Sequence, residues 1–231
     1  MNLRGSRIAS QLARLRAVLP GGFGRVSFAQ EGEDLVLERM FEGRPPGRYV
    51  DVGAHHPLRF SNTHLLYRRG WTGVNIDATP GSMRAFHRFR PGDVNLEVGV
   101  AREPGDRELY IFDEPALNTF DAARARSLAR PPYKIVSVRK VRCVPLAAIL
   151  REHAIAALDL LTIDAEGYDY EVLQTLDWDA TRPYVVLLEQ HAIGVAALAD
   201  GSIHAYMTAR DYELVAKTFN SVFYRSVTRR A

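Results

Sequence analysis

Acids at the ends of apolar runs, and one histidine beside them, carry most of the chemistry this sequence can offer. The run Tyr49-Val50-Asp51-Val52-Gly53-Ala54 ends in Asp-x-Gly, and Val74-Asn75-Ile76-Asp77 follows, with Asp77 24 positions after Gly53. An apolar run that stops at Asp-x-Gly reads as a buried strand ending in a tight turn. An acid at the tip of the next strand then faces that turn across a crevice. In doubly wound sheets such a carboxylate accepts hydrogen bonds from ribose hydroxyls, at a spacing of about 20 residues. The pattern predicts a ligand that carries adenosine.

Two further strand ends are acidic. Asp164 and Glu166 follow Leu161-Thr162-Ile163, and Glu189-Gln190-His191 follows Val185-Val186-Leu187-Leu188. Open α/β sheets place ligands outside the carboxyl ends of their strands. The i, i+2 spacing of Asp164 and Glu166 directs both carboxylates to one side of an extended segment. They suit an amino group, a sugar hydroxyl or a divalent cation; a helix start whose acids complement its dipole is the plain alternative. Histidine, with a reference pKa near 6.5, is suited to take a proton from a hydroxyl. His191 is the first candidate for that base, and His55 and His56 are its rivals. Asp164, Glu166 and His191 together also form a donor set for a hard metal ion.

The turn Gly53-Ala54-His55-His56-Pro57 narrows the ligand. A dinucleotide needs the second and third glycines of G-x-G-x-x-G so that the backbone can approach its pyrophosphate, and they are missing. S-adenosylmethionine has no phosphate, so one glycine with flanking carboxylates suffices. Asp51 and Gly53 then belong beside its amino-acid moiety and Asp77 at its ribose.

The elements that must position these residues alternate. Helices are predicted over 30–41, 61–69, 80–89, 145–153, 168–176 and 201–210. Strands are predicted over 48–53, 73–78, 93–100, 158–164 and 184–189. Residues 107–112 and 135–141 read as antiparallel strands or extensions on one edge, with the helical or irregular segment between them, 113–132, as a loop over the site. The chain ends in two alternating segments, Tyr212 to Thr218 and Ser221 to Ser226, joined at Phe219-Asn220. A hairpin requires an antiparallel strand in an otherwise parallel sheet. The expected fold is therefore α/β: a class I methyltransferase, Rossmann-like, doubly wound seven-stranded sheet with an antiparallel terminal hairpin.

Charge divides the chain into an arm, residues 1–26, and a catalytic domain, residues 27–231. The arm holds five arginines and no acid, whereas the remainder has 25 basic against 27 acidic side chains. With Ile8, Leu12, Leu15 and Leu19 at helical spacing, the arm reads either as a packed helix or as a basic amphipathic one that touches an anionic membrane surface or a partner. A slightly acidic body argues against nucleic acid as partner. No apolar run approaches the ~18–20 residues of a membrane span, and a single cysteine, Cys143, excludes an internal disulfide. These features suit a reducing, cytoplasmic setting, with peripheral contact at the inner face of the membrane if the arm binds lipid.

Several motifs in order resemble the FkbM-type methyltransferase family. They are Ser27-Phe28-Ala29-Gln30-Glu31-Gly32-Glu33-Asp34, the run from Tyr49 to Pro57, Ser61-Asn62-Thr63, Gly70-Trp71-Thr72-Gly73, and Leu161 to Gly167 followed by Val172-Leu173. The resemblance spans residues 27–226 and departs at Ala29, where Ser or Thr is expected. It implies S-adenosylmethionine as donor and O-methylation, often of sugar hydroxyls in glycans or glycosylated metabolites. Carried over by position, it places Gln30 and Glu31 on a segment closing over the cofactor. Asp51, Gly53, Ala54, His55 and Asp164 fall beside the cofactor, and Glu97 and Val98 near its adenine. Ser61, Asn62 and Thr63 fall where the helix after the first strand needs a cap, a duty these residue types perform in any fold. His191, Asp164 and Glu166 become the catalytic candidates for a small-molecule or glycan hydroxyl acceptor. The competing classes are methylation of nucleic acid or protein, a non-catalytic cofactor-binding scaffold, and, least supported, a nicotinamide oxidoreductase. The fourth strand of the α/β series lacks the Asn/Asp-Pro-Pro-aromatic turn common among amino-methylating DNA enzymes.

Overall fold

The computed structural model describes residues 24–191 and 194–229. The expected basic arm therefore lies, but for its last three residues, outside the described residues. Helix α1 (Glu33–Met40) leads into β1 (Arg48–Val52), α2 (His64–Arg68), β2 (Thr72–Asp77), α3 (Met83–Phe89) and β3 (Val94–Glu97). An excursion follows through β4 (Gly99–Val100), β5 (Gly105–Phe112), a 3₁₀ turn (Pro115–Leu117), α4 (Ala122–Leu128) and β6 (Ile135–Val144). The chain returns with α5 (Leu146–Glu152), β7 (Leu160–Ile163), α6 (Asp169–Leu173), β8 (Val185–Glu189) and a short α7 (Val195–Leu198). It closes with α8 (Ser202–Thr208), β9 (Tyr212–Lys217) and β10 (Ser221–Ser226).

The main sheet has the order β3-β2-β1-β7-β8-β10-β9. Only β10 runs antiparallel to its neighbours β8 and β9. This is the class I methyltransferase sheet with its terminal hairpin. Its register follows from alternation: Val94, Val74, Val50, Leu161, Val186 and Tyr224 lie in one row across six strands. Except for the partly buried Val94, that row is buried against Leu146, Ile149 and Leu150 of α5, Val172 and Leu173 of α6 and Met207 of α8. The alternate residues Tyr49, Leu160, Val185 and Phe223 pack on the other face with Leu37 of α1, Leu66 of α2 and Trp71. A slip by one residue would exchange the two faces and strand every side chain in the wrong layer.

The structure differs from the sequence-based expectation in three places. The strand expected at 93–100 is split: Val98 N bonds to Asp77 O, and Gly99 then pairs with Cys143 of β6. The antiparallel pair β5–β6 therefore forms a separate three-stranded sheet with β4 instead of extending the main edge. Helix α3 begins after Ser82 rather than at Pro80, because Ser82 N donates to Thr79 O and makes Pro80-Gly81 the centre of a β-turn. The segment 113–132, by contrast, holds the 3₁₀ turn and α4, as its helical or irregular reading allows.

Candidate active site

The order of strands reverses between β1 and β7, and ligands bind at such a switch point. Gly53 at the β1 tip and Asp164 at the β7 tip meet there. Gly53 has φ +78°, and a Cβ at this position would overlap the Asp164 carbonyl oxygen. The residue must be glycine for the two strand ends to close together. An open cleft of about 820 Å³ begins here, running past Asp77 to Val98, Leu109 and Phe120 on one side and to Asp164, Glu166 and Tyr168 on the other.

Asp77 is 8% exposed and lines the cleft. Its carboxylate accepts from His55 N at 2.9 Å and Thr79 N at 2.7 Å, one bond to each oxygen. Each oxygen keeps a lone pair for a ribose hydroxyl. His55, at φ +53°, also lines the cleft, and its buried Nε2 has no partner. Burial lowers its pKa, which leaves a neutral ring with an unpaired polar atom beside the cleft. Gln30 and Val98 line the same cleft. The segment expected to cover the site does so: Ala116, Asn118 and Phe120 line the cleft, and Asn118 Nδ2 donates to Thr79 Oγ1 at 3.0 Å.

Several predicted cofactor residues stand one step back. Asp51 falls on the sheet face of Tyr49, because side chains alternate along β1, and so turns away from the cleft. Its carboxylate accepts from Thr63 Oγ1 at 2.6 Å, and burial raises its pKa to about 6. Thr63 in turn accepts from Arg90, a fully buried arginine that also donates to Ser61 Oγ and Pro57 O. Arg90 thus braces the turn that carries Gly53 and His55; as a lone arginine after a helix, it gave no signal in the sequence. Ser61 Oγ also accepts from His64 N at 3.2 Å, the expected cap, whereas Asn62 Nδ2 reaches Thr162 Oγ1 at 3.2 Å. Ala54 is buried with Met83 and Phe86. Glu31 binds the hairpin turn at Asn220, through both its backbone and side-chain amides, and Glu97 accepts from Gly81 N. Asp51, Ser61 and Thr63 thus belong to the Arg90 network beneath the cofactor loop, whereas Glu31 holds the hairpin turn and Glu97 holds Gly81.

At the other end of the cleft the acids gather. His191 Nε2 lies 2.9 Å from Glu189 Oε2 and 3.9 Å from Glu166 Oε2. The carboxylates of Glu166 and Glu189 beside the ring raise the His191 pKa to about 10. Asp164 shares a hydrogen bond with Glu189; burial and the neighbouring negative charges hold its carboxyl well above the usual range. Burial likewise lifts Asp169 to about 8. Among the described residues, the donors that converge within 4.8 Å are those of Glu166, Glu189 and His191. That set replaces the predicted Asp164, Glu166 and His191, because Asp164 is turned onto Glu189. Arg124 of α4 pairs with Glu166 and places Nη2 2.8 Å from His191 Nε2. Arg124 gives no signal in the sequence, because it lies in an arginine-rich stretch where no single position stands out. His56, the other rival base, instead accepts from Leu58 N and Arg59 N through Nδ1.

A family model described as the methyltransferase FkbM domain matches residues 51–214. The chain belongs to the FkbM methyltransferase family. As a methyltransferase of this family it depends on S-adenosylmethionine, and the residues present fit that cofactor: paired lone pairs on Asp77, an orphaned His55 Nε2, and an apolar wall at Val98, Leu109 and Phe120. A solved structure described as a TehB-like SAM-dependent methyltransferase from Corynebacterium glutamicum is similar at 11% identity and a TM-score of 0.41, covering 97% of this chain and 100% of that one. No curated protein matches the chain at a significant level. No helix among the described residues is long and apolar enough to cross a membrane.

Proposed function

We propose that this FkbM-family methyltransferase is an O-methyltransferase whose acceptor is a hydroxyl of a sugar, in a glycan or a glycosylated metabolite. The observation that carries the reading is His191, set between Glu189 and Glu166 at the end of the cofactor cleft. A sugar hydroxyl must lose its proton as it attacks, and a positioned base contributes about 10²–10⁴-fold. Bound S-adenosylmethionine supplies the activated methyl group. His191 takes the hydroxyl proton, and the two carboxylates stabilise the imidazolium that results. Polar groups line this end: Asp164 and Glu166 offer hydrogen bonds to a polyol. Phe60, 40% exposed at the lining of the cleft, adds an aromatic edge beside Arg59 and His55 that suits the apolar side of a sugar.

The test is His191→Ala. Its affinity for S-adenosylhomocysteine should stay within about twofold of the wild type, because His191 lies outside the cofactor-lining residues, while turnover falls by about 10²–10⁴-fold. A variant that methylates glycosides at the wild-type rate would remove His191 from the chemistry and leave His55 as the remaining histidine on the cleft.

A further inference from the structure

The candidate acceptor site already contains a cation, and it is carried by the segment that covers the cleft. Three donors, from Glu166, Glu189 and His191, converge as the ligands of a hard divalent ion do. Glu189, whose side chain is only 9% exposed, turns Oε2 to within 2.9 Å of His191 Nε2. Arg124 reaches into this group: it pairs with Glu166, and its Nη2 stands 2.8 Å from His191 Nε2. Its stem crosses Gly167, where a Cβ would come within 3.0 Å of Arg124 Cδ. Glu166 sits at φ +49°, a conformation non-glycine residues rarely keep unless the surroundings hold it. Thr119 Oγ1, from the same covering segment, donates to the Glu166 carbonyl at 2.9 Å. The segment therefore grips Glu166 by backbone and side chain at once.

We propose that Arg124 is the resident cation of this site, seated where the Glu166–Glu189–His191 donors would otherwise collect a divalent metal, so that hydroxyl activation runs on an arginine instead of a metal ion. The proposal rests on reading the cluster as the acceptor site. Arg124 acts as a positioning residue. Its guanidinium fixes Glu166 and faces the nitrogen that handles the proton. Because it arrives on α4, the proton-handling group is complete only when the covering segment is docked. A guanidinium remains charged at any working pH and cannot be stripped by a chelator.

The test uses Mn²⁺ alone, titrated calorimetrically into the full chain, and needs neither acceptor nor turnover. It can therefore fail separately from the proposed sugar chemistry. Arg124→Ala should gain Mn²⁺ uptake at a single site, with affinity above that of the wild type by about 10–100-fold, the range over which groups beside metal ligands tune affinity. Adding His191→Ala should abolish the gain. Arg124→Met keeps the aliphatic stem over Gly167 and serves if the alanine variant does not fold. Equal Mn²⁺ affinity in wild type and both Arg124 variants would overturn the proposal. So would a folded Arg124→Met chain that takes up no Mn²⁺.

Discussion

Replacing Gly53 with alanine tests whether the two strand tips must touch for the cofactor site to exist. At φ +78° an alanine is strained by about 1–2 kcal/mol. Its methyl group would also overlap the Asp164 carbonyl oxygen, a backbone atom held by the Asp164 N to Val52 O bond at 2.9 Å. Forcing extra volume into such a packed place adds about 1–3 kcal/mol. The sum, about 2–5 kcal/mol, lowers the melting temperature of a chain this size by about 4–20 °C. Gly32 provides the control, because it has φ +86° but open space where a Cβ would go. Gly32→Ala should show only the conformational part, about 2–8 °C. Thermal denaturation of both variants, with titration of S-adenosylhomocysteine, separates the terms. Gly53→Ala should melt below Gly32→Ala and bind the ligand more weakly. Coincident melting curves with wild-type affinity would refute the claim that the β1 and β7 tips need this contact.

Asp77→Ala should weaken S-adenosylhomocysteine binding by about 1.5–3 kcal/mol, the worth of hydrogen bonds to a charged group; unchanged affinity by calorimetry would move the ribose elsewhere. Arg90→Met should melt at least about 6 °C lower, since Pro57 O, Ser61 Oγ and Thr63 Oγ1 lose their buried donor at about 1–3 kcal/mol each. A melting point within about 2 °C of wild type would show that the loop holds itself. His191 and pH link activity and stability with opposite signs. Its folded pKa of about 10 exceeds the reference 6.5, so its stabilising pairing is fully present below pH 6.5 and fades as pH rises through about 10. Only the neutral ring accepts a proton, so turnover should climb over that same window. A flat pH–rate profile, or one that His191→Ala leaves in place, contradicts the assignment.

The sheet was legible because its strands are short apolar runs punctuated by glycine and acid, and because the terminal pair had to be antiparallel. Alternation also explains the main error within the site: Asp51 shares the parity of Tyr49, and that parity faces α2, not the crevice. The small second sheet was seen as two strands but not as separate, since the turn of the chain at Val98 depends on pairing with the distant Cys143. The positions of Asp77, Gly53 and His191 at the carboxyl edge could be read because each lies at or just past the end of a strand. Arg90 and Arg124 could not, because their roles come from tertiary contacts to Thr63 and Glu166 that no local pattern announces.

The central claim is methyl transfer from S-adenosylmethionine to a sugar hydroxyl, and the most direct measurement follows the methyl group itself. S-adenosylmethionine carrying an isotope-labelled methyl group would be incubated with the chain and a panel of glycosides, with the products read by NMR. The account predicts a labelled O-methyl signal on a sugar carbon, dependent on Asp77 and on His191. Label appearing only on nitrogen of a nucleic acid or protein, with every glycoside unmodified, would contradict it.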